Sequence, residues 1–254
     1  MIRALLACAL GLALAGAARA EQAIVSLSTE RIAITSNFTG ASLVVFGVID
    51  REGATTPPPA YDVVVTVRAP RGAVVVREKE RRGPFWFNAD SRKYIAIPAL
   101  LSVLSNRPLA DIAPEDRRRE LRIGVGNLVP SQGDRTKTVD PDEPDFRRAL
   151  IRIREAERLF VENPEGVRFL TRTVWRANAR IPGAAPLGAY AADVMVFLDG
   201  REVAKATANF TVTKSGVEDQ IASAARFSPL LYGLATIAAA LMIGWLASII
   251  FRRD

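Results

Sequence analysis

The amino-acid sequence predicts a mainly β protein: an Ig-like β-sandwich interrupted by a helical insertion and followed by one C-terminal transmembrane helix. Three observations predict it. Two stretches, Ala23 to Ile97 and Leu170 to Val212, alternate apolar and polar residues in short runs broken by Gly and Pro, which is the spacing of sandwich strands. Between them the period lengthens towards that of helices. Finally, no charge occurs from Phe227 to Phe251, and an apolar run of about 20 residues spans a bilayer as a helix.

In chain order, the first 20 residues read as a secretory signal. Arg3 precedes apolar Ala4 to Leu14, and Ala18-Arg19-Ala20 offers a small-x-small cleavage site. Alternation begins at Ile24 to Ser28 and repeats at Arg31 to Thr35. The continuous run Leu43 to Ile49 suits a strand in a sandwich core. Gly53 and Pro57-Pro58-Pro59 turn the chain. Tyr61 to Arg68 alternates with Val63, Val65 and Val67 on one side, Pro70-Arg71-Gly72 turns, and Ala73 to Lys79 returns. Gly83-Pro84 turns again before Phe85-Trp86-Phe87.

The middle of the chain predicts an insertion over 98–170. Pro98 to Leu104 reads as a short helix with proline in its first turn, and Pro114 to Arg122 as a second. Leu128 to Asp140 is polar and reads as a loop. Asp142-Glu143-Pro144-Asp145 opens the strongest soluble helix, with acids where the helix dipole prefers them. Phe146, Leu150, Ile153 and Phe160 form its apolar stripe, and Asn163-Pro164 stops it. Strands resume with Thr173, Trp175, Ala177 and Ala179. Tyr190 to Leu198 and Val203 to Val212 pair through a turn at Asp199-Gly200. Residues 21–214 are expected to be one domain, since the last strands alone make a poor sheet. A stalk over 215–228, the span over 229–251 and a tail over 252–254 complete the chain. Arg252 and Arg253 mark the cytoplasmic side of the span, which places the domain on the opposite side.

Composition excludes several chemistries. Cys8, inside the signal, is the single cysteine, and there is no histidine. The domain therefore has no disulfide, no thiolate nucleophile and no Ser-His-Asp triad, and zinc, copper and haem sites built on His or Cys are excluded. The net charge of +7 falls to +4 once Arg3, Arg19, Arg252, Arg253 and Asp254 are set aside. That balance argues for no nucleic-acid partner. No cofactor is expected, and the chain reads as a non-enzyme.

Candidate sites remain. Arg68, Arg71, Arg77, Lys79, Arg81 and Arg82 cluster along the sequence, and guanidinium groups bind oxyanions well. The same residues, interleaved with Glu78 and Glu80, also suit an exposed hairpin kept soluble by charge. Phe85-Trp86-Phe87 reads as core packing with one exposed ring, and Trp175 as core. Arg117-Arg118-Arg119 with Arg122 reads as a solvated helix face. Asp140, Asp142, Glu143 and Asp145 lack the alternation and glycine of a calcium loop and read as N-terminal helix charge. In the membrane helix Ala240, Gly244 and Ser248 recur every fourth residue, a small-residue face on which another helix can pack.

Three groups of motifs carry a resemblance: Ile34 to Gly40 with Val45-Phe46-Gly47; Pro186 to Tyr190 with Leu198-Asp199-Gly200; and Leu231-Tyr232-Gly233 with Gly244 to Ala247 and Phe251 to Asp254. Together they resemble a family of transmembrane proteins of alphaproteobacteria, over nearly the whole chain after the signal. The resemblance implies a single-pass protein of the bacterial inner membrane with a periplasmic domain. It also implies a neighbouring anion permease of the sulfite-exporter type as membrane partner. It supplies no catalytic residues. The function expected is an accessory or scaffold protein for such a permease; the alternative is a periplasmic anion-sensing or solute-binding domain.

Overall fold

Alternation of side chains across the pleat decides which way each strand faces. In a computed structural model, residues 21–34, 40–51, 57–129, 143–214 and 225–250 are described. The expected signal, the turn expected at Gly53, most of the loop expected after Leu128, Asp140 and Asp142, most of the expected stalk and the terminal arginines lie outside them.

The first sheet has the order β1 (Gln22–Leu27), β3 (Gly40–Asp50), β10 (Val174–Pro182), β9 (Val167–Phe169), all antiparallel. The core face of β3 carries Leu43, Val45 and Ile49, and that of β10 carries Trp175, Ala177, Ala179 and Ile181, all buried. The second sheet has the order β2 (Arg31–Ile34), β12 (Arg201–Lys214), β11 (Gly188–Leu198), β4 (Asp62–Arg68), β7 (Leu101–Ser105), β8 (Phe160–Asn163). Its central strand β4 holds Val63, Val64, Val65 and Val67 away from solvent on both faces. The two sheets share one hydrophobic core.

Strand order makes the sandwich Ig-like. Strands β1, β3, β10 and β9 occupy the places of the A, B, E and D strands, and β12, β11 and β4 those of G, F and C. The parallel pairing of β2 with β12 adds a first-strand extension to the second sheet. At the start of β11 the Tyr190 hydroxyl donates to the Pro186 carbonyl oxygen at 2.7 Å, the reach-back of a tyrosine corner. Asp199 and Gly200, with φ of 50° and 79°, make the tight turn between β11 and β12, as the sequence predicts.

Strands β5 (Arg71–Arg82) and β6 (Phe85–Pro98) form a separate long hairpin between β4 and β7. Ion pairing fixes the chain beyond β7. Asp62 accepts from Asn106 Nδ2 at 3.0 Å and Arg107 Nε at 2.6 Å, and this bond raises the Arg107 pKa further. Helices α1 (Leu109–Ile112), α2 (Glu115–Glu120), α3 (Val125–Leu128) and α4 (Glu143–Ala156) follow. The last described element is α5 (Pro229–Ile250). Its segment Tyr232–Ile250 has a mean hydropathy of 2.1 and is not buried by the other described residues. At 1.5 Å per residue its 22 residues extend about 33 Å, matching a hydrocarbon core.

Three local expectations are corrected. Pro98 to Leu104 is not a helix: Leu101–Ser105 is β7, fully buried between β4 and β8. A continuous apolar run fits either element by periodicity, and the open edge of β4 decides for a strand. Helix α4 ends at Ala156 rather than at Asn163. Arg158 takes φ of 57°, which turns the chain so that Phe160–Asn163 can pair with β7. Phe160 is therefore a buried strand residue, while Phe146 and Leu150 are the buried members of the helical stripe and Ile153 is exposed. Lastly, all three rings of Phe85-Trp86-Phe87 are exposed, at 66%, 65% and 52%, because the hairpin tip touches neither sheet. Trp175 is core, as expected.

Candidate functional site

A twelve-residue strand separates side chains that look adjacent in sequence. At about 3.3 Å per residue, Arg71 and Arg82 lie at opposite ends of β5, some 35 Å apart. The six basic residues expected to act together therefore divide into three places. Arg68 and Arg71 border a cleft at the base of the hairpin. Arg77 and Lys79 line a shallower hollow against α4, with Asp145, Phe146 and Arg152. Arg81 and Arg82 sit at the tip, where Arg81 Nε donates to the Gly83 carbonyl at 3.0 Å and Arg82 pairs with Glu80 at 3.0 Å.

The basal cleft encloses about 670 Å³ and brings distant segments together. β4 supplies Thr66 and Arg68, β5 supplies Arg71, β11 supplies Asp193 and β12 supplies Lys205. Arg119 and Arg122 come from α2 and the turn after it. Asp193 lies on β11 between β4 and β12, directly beside Thr66 and Thr207 in register. It accepts from Arg68 Nη2 and from Thr207 Oγ1 at 2.8 Å. Arg68 Nε is buried and has no hydrogen-bond partner among the described residues. Arg119 pairs with Glu115 at 3.0 Å. Arg71, Arg122 and Lys205 make no ion pair among the described residues. Among the described residues the lining thus holds five cations against one carboxylate.

Backbone strain collects at the same place. Ala96 and Arg122, both lining the cleft, have φ of 57° and 54°. The left-handed region costs a residue with a Cβ roughly 1–2 kcal/mol. At Ala96 the strain accompanies a register shift in the hairpin between Gly72 and Val74, which re-aims the strand at the cleft rim. At Arg122 it reverses the chain after α2, and the Ile123 amide then donates to the Arg118 carbonyl at 2.8 Å.

The arrangement suits binding rather than acid–base chemistry. Guanidinium and ammonium groups around one mouth offer many donors in forks that match tetrahedral oxyanions. The sequence does not announce three of the cleft's cations in this role: Arg119 and Arg122 read there as a solvated helix face, and Lys205 carries no motif. The alternation of β12, which turns Lys205 the same way as Thr207, is the one signal that pointed to it.

Helix α5 carries the expected small-residue face of Ala240, Gly244 and Ser248. A Cβ added at Gly244 would meet nothing within 4 Å. Asp145 pairs with Arg148 at the start of α4.

No curated protein and no solved structure matches the chain. A family described as "Putative transmembrane protein (Alph_Pro_TM)" matches residues 22–253, which takes in the sandwich, the hairpin and the apolar helix alike; the chain belongs to this transmembrane protein family.

Proposed function

We propose that the protein is a non-enzymatic accessory protein of the bacterial inner membrane whose periplasmic domain binds a small oxyanion in the basal cleft. The observation that carries the reading is the meeting of Arg68, Arg71, Arg119, Arg122 and Lys205 around one opening with Asp193 as the single carboxylate. Such a charge balance attracts and retains anions. It joins the two expected roles: an accessory to an anion permease of the sulfite-exporter type would hold that permease's substrate class, and an anion-sensing domain would need the same cleft.

Calorimetry on the full chain in detergent, titrated with sulfate, sulfite and phosphate, tests it. Arg122→Ala and Lys205→Ala should each weaken binding roughly tenfold, the scale of one charge-assisted hydrogen bond. Absence of heat with all three anions at millimolar concentration defeats the reading.

A membrane partner is the second half of the proposal, supported by the open Gly244 face of α5. For orientation, a periplasm-dependent reporter fused after Lys214 should be active and one fused after Asp254 silent. Activity at both positions would remove the single-pass periplasmic arrangement.

A further inference from the structure

A two-stranded hairpin standing alone in water is marginally stable at best. Past the shallow hollow where Arg77 and Lys79 border α4, the outer half of β5–β6 stands alone here. Every residue from Arg77 to Ser91 is exposed, and the strands pair with each other and with no other described strand. The last buried side chains are Val76 and Tyr94, at the base. Beyond them the hairpin projects for about 20 Å and ends in three exposed rings, Phe85, Trp86 and Phe87.

The strand alternation sorts its charges by face. Arg77, Lys79 and Arg81 share one face, with Trp86 directly opposite Arg81 in register. Glu78 and Glu80 fall on the other, where Glu80 holds Arg82. A sequence that alternates in sign thus becomes an arm with one basic face and an aromatic end.

We propose that this arm docks on a phospholipid surface: Phe85, Trp86 and Phe87 enter the headgroup region of the bilayer that α5 enters, and Arg77, Lys79 and Arg81 meet anionic headgroups. Aromatic rings concentrate at this depth of a membrane, where an apolar body and a polar surrounding are both accommodated. Clustered cations add attraction to anionic lipid. The chain brings the arm to that surface. Fifteen residue steps separate Lys214, the end of β12, from Pro229, the start of α5, a reach of at most about 50 Å. The domain is therefore held within range of one bilayer. A second point of attachment would fix the orientation of the sandwich over it.

The test uses the full chain in nanodiscs of phosphatidylcholine, with and without phosphatidylglycerol. In a Trp245→Phe background the remaining indoles are Trp86 and Trp175, and Trp175 is fully buried in the sandwich. Bromine-substituted acyl chains quench an indole that they touch. In discs with phosphatidylglycerol, brominated lipid should lower the Trp86 emission at least about twofold, as expected for a ring at the interface. Adding Trp86→Phe should abolish the effect. The charge reversal Arg77→Glu/Lys79→Glu/Arg81→Glu should bring quenching down to that same level, with far-ultraviolet circular dichroism unchanged. Quenching no greater than in the Trp86→Phe control overturns the proposal, and would leave the arm as a contact for a second copy or another protein. Equal quenching without phosphatidylglycerol overturns the role of the basic face.

Discussion

Trp175 occupies the space that a side chain at Gly47 would need. The two residues are register partners on β10 and β3, and a Cβ on Gly47 would stand 2.6 Å from Trp175 Cζ2 and 2.5 Å from the Ile24 carbonyl oxygen. The largest fully buried ring of the core thus depends on the absence of a methyl group one strand away. Gly47→Ala forces the indole or the β1 backbone to move, and overpacking of this kind costs about 1–3 kcal/mol. Thermal unfolding should shift down by roughly 2–4 °C per kcal/mol for a domain of this size. Gly72→Ala, which meets nothing within 4 Å, should leave the transition within a degree or two of the parent.

Asp193 holds Arg68 at the floor of the cleft with one carboxylate oxygen and accepts from Thr207 with the other. Removing the carboxylate leaves a guanidinium that is only 28% exposed without its partner. Asp193→Ala should therefore cost about 2–3 kcal/mol in urea unfolding, towards the lower end for a half-buried pair. A double-mutant cycle with Arg68→Ala should show a coupling of at least about 1 kcal/mol. Additive single effects would show that the two side chains do not act together.

Alkaline pH should loosen the sandwich. Burial pushes the Tyr190 phenol up to about 12, and burial together with the Glu21 carboxylate beside it does the same for Tyr61. Both are raised above the unfolded value of 10, so the folded state holds its protons more tightly. The stabilisation is fully present below pH 10 and is lost as pH rises towards 12. The urea midpoint should fall across that window. It should fall less steeply in the Tyr61→Phe/Tyr190→Phe variant; parallel curves would assign alkaline unfolding to other groups.

Helix association through α5 should fail when its small face is filled. Gly244→Leu holds a partner backbone away and forfeits close packing worth on the order of 1–2 kcal/mol. Ile243→Leu lies on another face and serves as control. Co-purification of a membrane partner should drop for the first and not the second, at equal membrane insertion. Equal recovery would make α5 an anchor alone and move any contact to the domain.

The sandwich was legible because its signals are local. Alternation in β10 names the core face residue by residue, the continuous apolar run of β3 marks a strand of the core, and Asp199-Gly200 names its turn. Leu101–Ser105 misled because five consecutive buried residues carry no period, and the strand exists only to cover the edge of β4. Phe85 to Phe87 misled because apolar character says nothing about whether a second surface is there to receive it. The cleft was legible only in part, since Arg68 and Arg71 were visible as a cluster with the wrong neighbours. Arg119, Arg122 and Lys205 join them only because α2, the turn after it and β12 border the same cleft, a meeting that no spacing in the chain announces.

The parallel contact between β2 and β12 sets a schedule for the molecule's birth. Ile32 pairs with Val212, so a strand made near the start of synthesis waits for one made at the end. At about 5–20 residues per second that interval is on the order of 10–40 s. Only residues 215–228 then separate the new strand from the apolar helix. The second sheet can close only shortly before the anchor arrives, and until that moment β2 presents an unpaired edge to whatever chaperone attends the nascent chain.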